Sequence, residues 1–166
     1  VTGAPVEHMP FEEVDYWQEL TDIFEWAQDH SYSQFFICWG AQAALYHHYG
    51  INKTIHPHKL FGVFPHSRNI YTHPLTRGFD DIVHIPVSRL TESISADIEK
   101  TITLQTLITS EQLGPALVCD DNARRVFMFN HLEYERDTLK NEFLRDQERG
   151  LFTPLPQHYF PHDNPD

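Results

Sequence analysis

The sequence predicts an α/β protein of three layers: a mostly parallel sheet flanked by helices, with a cysteine at a strand-to-helix elbow. Three observations carry this expectation. The aromatic and β-branched run QFFIC at 34–38 reads as a buried strand. It passes directly into WGAQAALYHHYG, a run of good helix formers closed by Gly50 at a C-cap position. Further strand-like and helix-like stretches then alternate along the chain, the pattern of a sheet covered by helices.

The remaining elements follow in order. VTGAP at the start reads as the tail of a strand running into a Gly-Pro loop. Val14, Trp17, Leu20, Ile23, Phe24 and Ala27 recur at three- and four-residue intervals, so residues 12–28 are expected to form an amphipathic helix. KLFGVF and IVHIPVSR read as short strands with loops between them, and residues 94–109 fit helix or strand equally. ALVCDD and RRVFMFN form a predicted hairpin at a sheet edge, turning near Asp121-Asn122. Glu135 to Arg149 is a second amphipathic helix, closed by Gly150. The tail LPQHYFPHDNPD reads as an ordered loop or a segment packed on a neighbour.

A chain of 166 residues, 40% apolar and 22% charged, fits one folded domain with a real core. Its formal net charge of −12 argues against nucleic acid or an anionic membrane as a partner, since both demand clustered Lys and Arg. No apolar run is long enough to span a bilayer, and the first residues lack a secretion-signal pattern. Cys38 and Cys119 therefore read as reduced thiols of a cytoplasmic protein. The 12 histidines show no Cys/His set with zinc-like spacing, so no metal is expected. His47, His48, His56 and His58 are expected at the surface or in loops.

Chemistry concentrates at two places. The turn at Cys38 lifts its side chain out of the sheet beside unpaired helix N–H groups, which would stabilise a thiolate. The Trp39 amide is the natural oxyanion donor there, and Gly40 lets the helix start lie close to other backbone. The blander alternative is that Cys38 is a small buried apolar residue. In FMFNHLEYE a strand ends at Asn130, and His131 and Glu133 follow. His131 is a candidate base and Glu133 the carboxylate that fixes its tautomer, against the alternative of a surface His-x-Glu.

Beyond these residues the whole chain resembles a known family. VTGAPVE, YWQEL, CWGAQAALYHHYGI, KLFGVF, LTRGFDD, PVSR, HLEY, EFLRD and YFPHDNP occur in the order seen in the homoserine O-acyltransferases of the MetA type. More distantly the sequence is similar to class I glutamine amidotransferases, with their flavodoxin-like fold, Cys elbow and His-x-Glu. The resemblance implies one acyltransferase domain over residues 1–166, the central and later part of a longer family fold. It implies that Cys38 takes an acyl group from acyl-CoA, that His131 deprotonates the acceptor hydroxyl, and that Glu133 orients His131. Val6 and Trp39 would supply the oxyanion amides, while Lys59, Ser88 and Arg145 would bind substrate, Arg145 gripping the amino acid's carboxylate. Arg89 is expected to be structural.

Glu7 bears on the donor. In the family, glycine at this position accompanies succinyl transfer and glutamate accompanies acetyl transfer. A succinyl carboxylate would meet the Glu7 charge, whereas an acetyl methyl would not. The expectation is therefore homoserine O-acetyl transfer from acetyl-CoA as co-substrate, in methionine biosynthesis, with no permanently bound cofactor and a homodimer as the family norm. Alternatives are serine as acceptor (cysteine biosynthesis), succinyl as donor, a glutaminase or cysteine hydrolase, and a noncatalytic relative. The sequence departs from the family where Asn130 replaces glycine and Leu132 replaces proline. Asn130 is expected to tolerate an unusual backbone there and to narrow the acceptor pocket, which would favour serine.

Overall fold

The computed structural model describes residues 1–164; the last two residues of the predicted tail lie outside it. Four α-helices and six β-strands follow in the order α1 (Trp17–His30), β1 (Gln34–Ile37), α2 (Trp39–Tyr49), β2 (Lys53–Arg68), β3 (Ile82–Ser93), α3 (Ser95–Lys100), β4 (Leu104–Ser110), β5 (Gly114–Asp120), β6 (Arg125–Met128) and α4 (Thr138–Glu148). The six strands form one sheet in the order β1-β6-β5-β4-β2-β3.

The α/β class is as expected, but the mostly parallel sheet is not. Among the six strands described, only β1 and β6 pair in parallel; the other four pairings are antiparallel. Parallel neighbours need a crossover of a dozen or more residues, and the short β4–β5 and β5–β6 connections are hairpins instead. The β5–β6 hairpin turns through Asp121-Asn122 as predicted, yet it lies inside the sheet and not at its edge.

Alternation along the central strands buries both faces. Val118, Phe127 and Phe129 join Phe36 in a core under Leu20 and Phe24 of α1 and Ala41, Ala44 and Leu45 of α2. Leu117, Cys119, Val126 and Met128 point the other way, into a second cluster with Ile85, Leu107 and Ile108. Over that face, Ile70 and Phe79 of the β2–β3 connection pack where the three-layer expectation placed a helix. The fourth helix packs further out, with Leu139 and Phe143 against Phe61 of β2.

The first helix starts at Trp17, five residues later than predicted, because the 3-10 turn Phe11–Glu13 ends in extended backbone at Val14. Ile23 of the predicted stripe stays exposed, and Thr21 is buried in its place. The second helix ends as expected, with Gly50 at φ 69° and its N–H on the Tyr46 carbonyl. Residues 94–109 contain both predicted alternatives, a short helix and a strand.

The second strand is far longer than KLFGVF. It carries Pro57, which has no N–H to give a ladder, and its register against β3 shifts between Ile55 and Leu60. Lys59 sits in that irregular stretch, so the bulge sets where its side chain goes. Downstream, Gly62 (φ 145°) receives the tail: Gln157 donates to the Phe61 carbonyl and Val63 donates to Gln157. Leu155 and Tyr159 then pack beside Phe61.

A Cβ on Gly62 would lie 2.3 Å from the Gln157 carbonyl oxygen, with no flexible atom to move aside. Gly62→Ala should therefore unseat the tail and cost about 1–3 kcal/mol. Urea unfolding and amide exchange at Gln157 would check this; an unshifted midpoint with a protected amide would contradict it.

Candidate active site

The first strand ends at Ile37 and α2 begins at Trp39, leaving Cys38 to make the whole turn. It does so at φ 52°, ψ −123°, a conformation that L residues seldom adopt. Three backbone bonds hold it: the Cys38 N–H donates to Met128 at 2.7 Å, and its carbonyl accepts from Ala41 at 3.0 Å and Gln42 at 3.2 Å. Glycine at 40 is required, because a Cβ there would come 2.8 Å from the Thr2 carbonyl oxygen. The opening residues run along this elbow as expected of a strand's tail, with the Ile37 N–H on the Val1 carbonyl.

The second half of the site comes from the far end of β6. Phe129 N–H closes the pairing on Ala116, and the His131 N–H then reaches the Pro86 carbonyl of β3. The His131 ring is buried, stacks on Tyr134 at 4.2 Å, and bonds through Nδ1 to Glu133 Oε1 at 2.7 Å. That bond to a carboxylate puts the proton on Nδ1 and leaves Nε2 to accept. A point beside Gly3, where a Cβ would stand, lies 3.6 Å from Cys38 Sγ and 3.9 Å from His131 Cε1. Thiol and imidazole thus border one space.

That space is a cleft of about 790 Å³ lined by Cys38, His131 and Glu133 together with Glu7, Lys59, Ser88 and Arg145. Seven of the nine expected site residues therefore meet in it. The other two are Val6 and Trp39. Val6 lies between the cleft-lining Pro5 and Glu7 while its side chain packs on the helix-side core. Trp39 is buried with its backbone N–H directed at the Cys38 sulfur.

Electrostatics at the thiol differ from the sequence expectation. Burial, aided by the Glu7 charge, pushes the Cys38 thiol up to about 12, against a smaller opposing effect of the Trp39 amide and Arg89. The helix start alone would favour thiolate, but desolvation outweighs it because the residue is only 5% exposed. Arg89 is the structural residue expected: fully buried, it donates to the Leu113 carbonyl at 2.8 Å.

Two carboxylates organise the other wall, and the sequence reading missed both. Glu142 accepts from Ser88 Oγ and Lys59 Nζ, each at 2.7 Å, and from the Tyr134 hydroxyl at 3.4 Å. Asp146 accepts from Arg145 at 2.8 Å, from Thr153 at 2.7 Å and from Lys59 at 3.3 Å. Burial alone would raise the Asp146 carboxyl, but these donors hold it below the ordinary carboxylate range. The signal was in EFLRD, where Glu142, Arg145 and Asp146 recur at helical spacing and so share one face of α4. Glu7 is held too, its carboxylate accepting from the Leu90 N–H and the Thr91 hydroxyl.

Two expectations for Asn130 fail. It has no left-handed backbone, since the positive-φ non-glycine residues described are Cys38, Ala123, His158 and His162. Its buried amide turns to His66 Nε2 at 2.9 Å, so it does not narrow the cleft. The ground it offered for serine as acceptor is thereby removed.

This arrangement, a cysteine elbow and His-x-Glu on a mixed sheet flanked by helices, has the class I glutamine amidotransferase-like fold. A glutamine amidotransferase from Thermotoga maritima superposes with a TM-score of 0.69 at 14% identity, over 85% of this chain and 59% of that one. One from Methylobacillus flagellatus gives 0.68 at 14% identity, over 91% and 60%. Sequence narrows the class: the homoserine O-succinyltransferase family model matches residues 1–166, and the chain belongs to that family. A homoserine O-acetyltransferase of Clostridium beijerinckii is 50% identical over 164 residues, 99% of this chain and 54% of that protein. One of Desulfovibrio desulfuricans is 52% identical over 165 residues, 99% of this chain and 52% of that protein. The chain thus spans about half the length of the curated relatives it matches.

A thiol raised from 9.0 to about 12 stays protonated at neutral pH. Alkylation of Cys38 by iodoacetamide, followed by peptide mass spectrometry, should therefore keep rising about tenfold per pH unit from pH 7 to beyond pH 9. A rate that levels below pH 9 would show that the folded protein does not disfavour the thiolate.

Proposed function

We propose that this chain carries the acyl-transfer centre of a homoserine O-acetyltransferase, moving acetyl from acetyl-CoA to the hydroxyl of L-homoserine for methionine biosynthesis. The supporting observation is the single cleft in which Cys38, His131–Glu133 and the Ser88–Lys59–Glu142–Arg145 cluster meet. The names of the relatives point the same way.

In this reading His131 Nε2 takes the Cys38 proton as the sulfur attacks the thioester carbonyl. The tetrahedral oxyanion lies at the Trp39 and Val6 amides, and collapse expels the CoA sulfur, which leaves with the proton from His131. Cys38 is then an acetyl thioester. His131 next removes the proton from the homoserine hydroxyl, whose oxygen attacks that thioester and releases the Cys38 sulfur, reprotonated from the imidazolium. Glu133 holds the ring and stabilises its charge in both halves. Because the resting thiol is protonated, the base acts together with the attack and not before it.

The charged wall suits an amino-acid zwitterion. Arg145, half exposed beside Asp146, offers paired donors to the carboxylate. Glu142 offers an acceptor to the ammonium, and Lys59 and Ser88 fix that carboxylate in place. Free thiols at both cysteines fit a cytoplasmic setting, and no helix among the described residues is long and apolar enough to cross a membrane. No permanently bound cofactor is required by these steps.

Glu7 supports acetyl over succinyl. Its carboxylate lines the cleft close enough to raise the thiol, so it would oppose a second carboxylate on the acyl group.

The deciding experiment is a panel of acetyl-CoA and succinyl-CoA against homoserine, serine and glutamine, run on this chain beside the Clostridium beijerinckii relative. Acetyl transfer to homoserine should dominate, and Cys38→Ala should lower it by at least about 10³-fold. Glutamine hydrolysis without CoA release, or near-normal turnover in Cys38→Ala, would overturn the proposal. Separately, Glu7→Gly should raise succinyl-CoA use about tenfold or more relative to acetyl-CoA. An unchanged donor ratio would place Glu7 outside the acyl pocket.

A further inference from the structure

Away from the cleft, the end of α2 carries His47 and His48, which face α1. As expected of surface histidines, His58 is exposed and His47, His48 and His56 are partly exposed, though His47 and His48 lie in a helix and His56 and His58 within β2, so none is in a loop. We infer that Glu25, His47 and His48 form a site for a borderline divalent metal ion of the zinc, cobalt or nickel class.

Each of the three residues offers one ligand atom, and these atoms lie within 4.8 Å of one another. His47 Nε2 is 2.6 Å from Glu25 Oε1. The two imidazoles stand edge to face at 4.8 Å between ring centroids, and both pack on Phe24, at 5.7 Å and 5.8 Å. Packing on a buried ring of α1 limits the rotamers of both ligands, so little ordering remains to be done when an ion binds.

A separate observation points to a missing partner. His48 Nε2 is buried and has no hydrogen-bond partner, a costly state for an imidazole nitrogen. With its proton on Nδ1, the ring presents Nε2 as a free lone pair, the form in which histidine ligates metals. An ion at this point would satisfy His48. It would also replace the His47–Glu25 hydrogen bond, His47 ligating through Nε2 with its ring proton on Nδ1.

Two imidazole nitrogens and one carboxylate oxygen select borderline transition metals over calcium or magnesium, which need more oxygen ligands. Three protein ligands leave at least one position to water. Arg125 is the opposing charge, but its guanidinium is engaged by Gln28 and lies 3.8 Å from Asp120. Cys38 starts the same helix ten residues earlier, about 15 Å away, so the ion would clamp α1 to α2 without touching the cleft.

The test uses Zn²⁺ competed against a chromophoric chelator, with Co²⁺ absorption as a readout of the ligand field. One equivalent of Zn²⁺ should bind, remain in Cys38→Ala, and weaken about tenfold or more in His48→Ala and in Glu25→Gln. Zn²⁺ should raise the melting temperature of the unmodified chain and leave that of His47→Gln/His48→Ala unmoved, with circular dichroism confirming that the variant is folded. Absence of Zn²⁺ binding, binding undiminished in the double variant, or binding lost in Cys38→Ala would each overturn the inference.

Discussion

The whole site depends on one strained residue being held still. Cys38 sits in a backbone conformation that costs about 1–3 kcal/mol for an L residue. Nothing in its own side chain compensates. The stabilisation comes from both sides: β1 is pinned to β6 in register, and the first seven residues of α2 are buried, so the helix cannot rotate to relax the turn. The short bond from the Cys38 N–H to Met128 ties the elbow to the same strand that delivers His131 three residues later. One parallel pairing therefore fixes Cys38 and His131 with respect to each other.

The opposite wall follows a different logic. It is built from β2, β3 and α4, and its polar groups neutralise one another: Lys59, Ser88 and Arg145 are each engaged by Glu142 or Asp146. Such a network keeps buried charges satisfied while leaving Arg145 half in solvent. Thr153 extends it into the tail, which is itself stitched to β2 at Gly62, so the wall's geometry is shared between strand, helix and tail.

What the sequence reveals here is what local chemistry decides. The strand–Cys–helix junction, the Gly50 cap and the β5–β6 turn each depend on a few adjacent residues, and each falls at the chain position the sequence predicts. The sheet's direction is not local. It depends on which strands the connections bring together, and that led to a mostly parallel expectation for a mostly antiparallel sheet. The thiol behaves similarly. Residues 34–50 imply a helix dipole that favours thiolate, but the groups that desolvate Cys38 and charge its surroundings, Glu7 and the β3 backbone among them, lie far off in sequence. Asn130 was misread for the same reason, since nothing near it in the chain announces His66. Glu142 was within reach, one helical turn before an arginine already singled out.

The burial of Cys38 also governs how the sulfur meets oxidants. Peroxides and other oxidants attack sulfur as the thiolate, and the path to sulfenic and then sulfinic acid begins there. A sulfur kept protonated and almost wholly enclosed gives them little to attack. The resting protein is thus shielded against irreversible oxidative loss at this sulfur.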